Sequence, residues 1–92
     1  MTDGSDTTQN AYLNGRVTIC QPAKGYRAGV DPVLLAASVA ARPGQSVLEL
    51  GCGVGTAILC LGRRVEDLKL TAVELQSDYA ALAAANALQN KQ

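Results

Sequence analysis

The residues of this chain best placed to do chemistry are two carboxylates and three glycines. Residues 47–55 read Val-Leu-Glu-Leu-Gly-Cys-Gly-Val-Gly, so Glu49 stands just before Gly51, Gly53 and Gly55. Glu74 follows about 23 positions after Gly51. Closely spaced glycines let a backbone bend sharply and approach a ligand with no Cβ between them. The amides that open the next helix then face the bound molecule. An acid at roughly that distance is where an α/β nucleotide fold sets a carboxylate against ribose, two acceptors meeting two hydroxyl donors. The dinucleotide fingerprint G-x-G-x-x-G would require Gly or Ala at position 56, which is Thr56.

Each acid also has a plainer reading. Glu49 lies in an otherwise apolar run, where a carboxylate buried without a partner would cost several kcal/mol. Glu74 could be a surface acid at a strand end, and Asp31 is explained as a helix cap. Arg16, Lys24 and Arg27 form a weak basic cluster that reads as a solvated hairpin surface.

The elements that must position these residues follow from the pattern. The strand over 46–50 ends at the glycine turn, and a helix runs over about 55–64. A second strand over 69–74 ends in Glu74, and a helix over 78–89 is capped by Ser77. This βαβα order requires a parallel sheet. Upstream, a strand over 16–21 ends at Pro22 and turns at 23–25, with Tyr26 as its hairpin partner. Asp31 caps a helix over 33–41 with Pro32 at its first position. That helix is apolar nearly all round and is expected to be buried on more than one side. Residues 86–90 are expected to fray.

Glu49-Leu50-Gly51-Cys52-Gly53-Val54-Gly55 with Glu74 resembles the first motifs of class I S-adenosylmethionine-dependent methyltransferases. Two upstream stretches narrow the resemblance: Arg16-Val17-Thr18-Ile19-Cys20-Gln21-Pro22, and residues 25–35, Gly-Tyr-Arg-Ala-Gly-Val-Asp-Pro-Val-Leu-Leu. Together they are similar to the start of the methyltransferase small domain group, and within it to bacterial tRNA adenine methyltransferases that modify an exocyclic amino group. The resemblance covers about residues 13–86. It implies an α/β, Rossmann-like methyltransferase fold, of which this chain carries the N-terminal βαβα portion after a short hairpin and a helix. It implies S-adenosylmethionine as cofactor. Gly51, Cys52, Gly53 and Gly55 would form the binding turn, and Glu74 with Leu75 would meet the ribose side. Glu49 would lie near the methionine end, with Asp31, Arg27 and Gly29 bordering the same pocket.

In that family the acceptor amine is held by an Asn/Asp-Pro-Pro-Tyr/Phe loop after the fourth strand. The prolines here are Pro22, Pro32 and Pro43, none adjacent. The expectation is therefore an incomplete domain over 13–92 behind a disordered tail over 1–12. It would be inactive alone and would belong to an enzyme that, when intact, methylates an adenine amino group in tRNA. An O- or small-molecule methyltransferase is a second reading. A non-catalytic interaction module is a third. Thr56 argues against a fourth, a nicotinamide-binding domain.

Bulk properties set outer limits. The chain has 92 residues, 48% of them hydrophobic, with no Phe or Trp, so much of the filling falls to alanine. Zero net charge gives no electrostatic footprint of a nucleic-acid binder. Cys20, Cys52 and Cys60 lack paired-metal spacing and read as small reduced apolar residues. No secretory leader or membrane-length apolar run is legible, which points to the cytoplasm. Two parallel strands leave unpaired edges, an invitation to homo-oligomers or swapped elements.

Overall fold

The computed structural model describes residues 7–24 and 29–92. Among the described residues seven elements follow one another: β1 (Thr7–Tyr12), β2 (Val17–Pro22), α1 (Asp31–Ser38), β3 (Ser46–Leu50), α2 (Thr56–Arg64), β4 (Lys69–Val73) and α3 (Ser77–Gln89). They form two separate two-stranded sheets. β1 and β2 are antiparallel, from Thr7↔Pro22 to Tyr12↔Val17. β3 and β4 are parallel, from Ser46↔Lys69 to Leu50↔Val73. The expected strand–helix–strand–helix order over 46–89 is present.

The N-terminal expectation needs correction. Residues 7–12 are not a disordered tail, because they form β1, the true partner of β2. The pairing proposed for Tyr26 falls outside the described residues. The run Thr7-Thr8-Gln9-Asn10 has no hydrophobic alternation, so nothing local marks it as a strand. A polar side-chain ladder holds it instead. Gln21 Nε2 donates to Asn10 Oδ1 (2.9 Å) and to the Tyr12 hydroxyl (3.2 Å), and Thr8 Oγ1 donates to Asn10 Oδ1 (2.8 Å). On β2, Val17 and Ile19 are fully buried, each worth about 1.5–3 kcal/mol of transfer free energy.

The helix buried on all sides is α2 rather than α1. Residues 56–61 are all buried, from Thr56 to Leu61, because α2 lies against α1, β2 and β4 at once. In α1 only Ala36 is buried, and Leu34 and Leu35 remain more than half exposed. α1 also ends at Ser38, short of the expected 41. Arg64, at the end of α2, donates to the carbonyls of Ala36 and Val39 there. It satisfies carbonyls that a helix end leaves open. Neither expected cap forms. Asp31 is the first residue of α1 and Ser77 the first of α3, and neither helix has a side-chain cap hydrogen bond.

The outer face of the parallel sheet is left apolar and open. Leu48, Leu50 and Val73 alternate outward and are 60%, 74% and 44% exposed. The inward positions Val47 and Leu70 pack on the core.

Candidate functional site

The register of the parallel pair builds the site. Leu50 pairs with Val73, so the turn leaving β3 and the acid leaving β4 emerge side by side. The amides of Gly51 and Cys52 both donate to Val73 O (2.7 and 3.1 Å), and that of Gly53 donates to Glu74 Oε1 (2.8 Å). Three consecutive N–H groups thus converge on the end of β4. Gln76 N–H donates to Glu74 Oε2 (2.9 Å). The Gln76 and Gly53 amides, helped by Leu75, hold the Glu74 carboxyl below its ordinary range by stabilising the charged form.

Such a turn demands glycine. Gly53 sits at φ +58° and Gly55, the residue capping α2, at φ +93°. Both values lie in the left-handed region, which other L-residues enter only at a cost. A Cβ on Gly51 or Gly53 would meet no protein atom within 4 Å. The space beside the turn is therefore open.

Glu49 faces inward from β3. Burial pushes its carboxyl above the ordinary 4.5, opposed by a hydrogen bond from the Ile58 amide in the first turn of α2. Its Oε1 is buried without a hydrogen-bond partner. Thr56, 3% exposed, likewise has a buried Oγ1 with no partner. Burying polar atoms unpaired is costly, and both lie on the wall of one cleft.

That cleft has a volume of about 500 Å³, within the usual range for small-molecule sites. Among its lining residues are Asp31, Glu49, Gly51, Cys52, Gly53 and Glu74, which the fold draws together from 31 to 74 in the sequence. Gly55 lies outside it. Together with Cys52 and Glu74 it lines a neighbouring apolar cavity of about 260 Å³. Leu75 is 96% exposed and lines neither cavity, nor does Gly29. The Leu75 side chain, two residues past the end of β4, projects away from the packed elements. Arg27 falls outside the described residues.

Sequence reading passed over Thr56, Gln76 and Tyr79 as site residues, though all three line the cleft. For Thr56 a signal existed: a hydroxyl at the first position of an otherwise apolar helix segment. Cys52 is no activated nucleophile. Burial pushes its thiol up, and the Glu49 and Glu74 charges push the same way.

No family model matches the chain. Over 75 residues, 82% of its length, it is 32% identical to a tRNA1(Val) (adenine(37)-N6)-methyltransferase from a Flavobacteriaceae bacterium (strain 3519-10). The matched part is 32% of that protein, so the chain spans about a third of the length of the curated relative it matches. The similarity supports a methyltransferase-type relationship.

Proposed function

We propose that this chain is the cofactor-binding part of an S-adenosylmethionine-dependent methyltransferase of Rossmann-like fold. In the whole protein the methyl acceptor would be an adenine amino group of tRNA, in a cytoplasmic setting. The observation that carries the cofactor reading is the cleft itself. It combines an open glycine turn, a pre-oriented carboxylate and two buried polar atoms without partners. The acceptor reading rests on the tRNA adenine methyltransferase similarity.

The residues present fit the cofactor. Glu74 accepts one backbone amide on each oxygen, and each oxygen keeps a lone pair for a ribose hydroxyl. Glu49 and Thr56 offer Oε1 and Oγ1 to the polar groups of the methionine end, with Asp31 on the same wall. The bound cofactor supplies a methyl group on a sulfonium, transferred by direct displacement. The task of this chain is to hold it in place, since alignment dominates such a reaction.

Calorimetric titration with S-adenosylhomocysteine tests the proposal. Saturable binding is expected, weakened at least tenfold in Glu74→Ala, equivalent to about 1.4 kcal/mol. A folded chain that does not bind, or one whose affinity ignores the substitution, overturns it.

A further inference from the structure

One fully buried polar side chain has no role in the cleft as described. Asn86 of α3 is 0% exposed and uses its whole amide. Its Oδ1 accepts from the Cys20 amide of β2 (2.8 Å) and from Gln89 Nε2 (2.9 Å). Its Nδ2 donates to Cys20 O (3.0 Å) and to Val54 O (2.9 Å). Val54 lies between Gly53 and Gly55 in the binding turn. One turn along α3, Asn90 repeats half of the pattern. Its Oδ1 accepts from the Thr18 amide (2.9 Å), and its Nδ2 donates to Thr18 O (2.7 Å). Among the described residues Asn90 makes no hydrogen bond to the glycine turn; its Nδ2 also donates to Asn86 O.

The spacing explains the match. Residues four apart on a helix rise about 6 Å, and residues two apart on a strand about 6.7 Å. Two primary amides on one face of α3 can therefore imitate a neighbouring strand against Thr18 and Cys20. The edge of β2 away from β1 is closed by side chains. Only Asn86 extends this pairing to the turn that shapes the cleft.

We infer that Asn86 is a positioning residue for the cofactor turn, transmitting the placement of the β1–β2 hairpin to Val54 and thereby to Gly53 and Gly55. The hairpin is then part of the site's frame although it contributes no residue to the cleft wall between Glu49 and Glu74. The effect on affinity rests on the cofactor reading above. The effect on the turn does not.

Two variants separate positioning from general support. Asn86→Asp keeps the size and can accept from Cys20, but a carboxylate cannot donate to Val54 O. Asn90→Ala removes hairpin contacts and leaves the turn alone. In ligand-free protein, amide hydrogen exchange at Gly53 and Gly55 is expected to be at least tenfold faster in Asn86→Asp than in Asn90→Ala. Affinity for S-adenosylhomocysteine is expected to fall at least tenfold in Asn86→Asp and to stay within twofold of the parent in Asn90→Ala. Equal exchange in the two variants overturns the inference. Should the parent chain fail to bind, the cofactor reading falls and the exchange comparison still decides the positioning role. If Asn86→Asp does not fold, the parent protein decides. The Nδ2 protons of Asn86 must then exchange as slowly as the core amides of α2, and fast exchange overturns the inference.

Discussion

At the scale of single residues, the two acids of the cleft are pushed in opposite directions by their surroundings. Burial disfavours the charge on Glu49, and backbone amides favour the charge on Glu74. Their effects on stability are accordingly opposite in sign. The folded state resists ionising Glu49, so its penalty is absent below the ordinary 4.5 and grows as pH rises above it. Glu49→Gln should therefore match the parent chain in acid and become relatively more stable toward neutral pH. Glu74 contributes fully above the ordinary carboxylate range and loses that contribution as pH falls through its lowered value. Glu74→Gln should lose stability at neutral pH and converge with the parent in acid. Urea unfolding of both variants over a pH series checks the pair, and slopes of the same sign would contradict the assignment.

At the scale of elements, the glycine turn joins β3 to α2 through backbone shapes that side chains resist. Gly53→Ala forces a Cβ into φ +58° and should cost about 1 kcal/mol. For a chain of this size that is a melting temperature lower by roughly 4–8 °C. The added methyl meets no protein atom within 4 Å. Its effect on S-adenosylhomocysteine affinity therefore reports on the ligand. A loss beyond the stability cost is expected if the ligand lies against the turn, and calorimetry beside thermal melting separates the two. The same elements show what is legible locally. The apolar run, its end at Gly51 and the helix after Gly55 place β3, the turn and α2 within a residue of the structure. β1 and the absence of side-chain caps at Asp31 and Ser77 are not legible locally, because pairing and capping are decided between elements.

At the scale of the whole molecule, the outward face of β3 and β4 carries exposed Leu48, Leu50 and Val73. Among the described residues, each of these strands pairs on one side only. Exposed apolar faces and open strand edges favour association. Light scattering across a concentration series is expected to show growth in mass, reduced by Leu48→Lys with Leu50→Lys. A mass that stays monomeric at all concentrations would contradict this. Among the described residues no helix is long and apolar enough to cross a membrane.

The sequence by itself determined which residues make the turn. Glycine spacing, an acid at 49 within an apolar run and an acid at 74 ending the next one are local facts, and the close spacing of Gly51, Gly53 and Gly55 marks the turn in which all three take positive φ. Tertiary structure decided what those residues face. The parallel register sets Glu74 against the Gly53 amide, 21 residues away. Packing buries α2 and leaves α1 exposed, although both look apolar in sequence. Asn86 and Asn90 looked like a fraying helix end, yet they close the edge of β2 more than 60 residues away. Long-range hydrogen bonds of this kind leave no periodicity, since the helix and the strand each follow their own repeat and meet only in the fold.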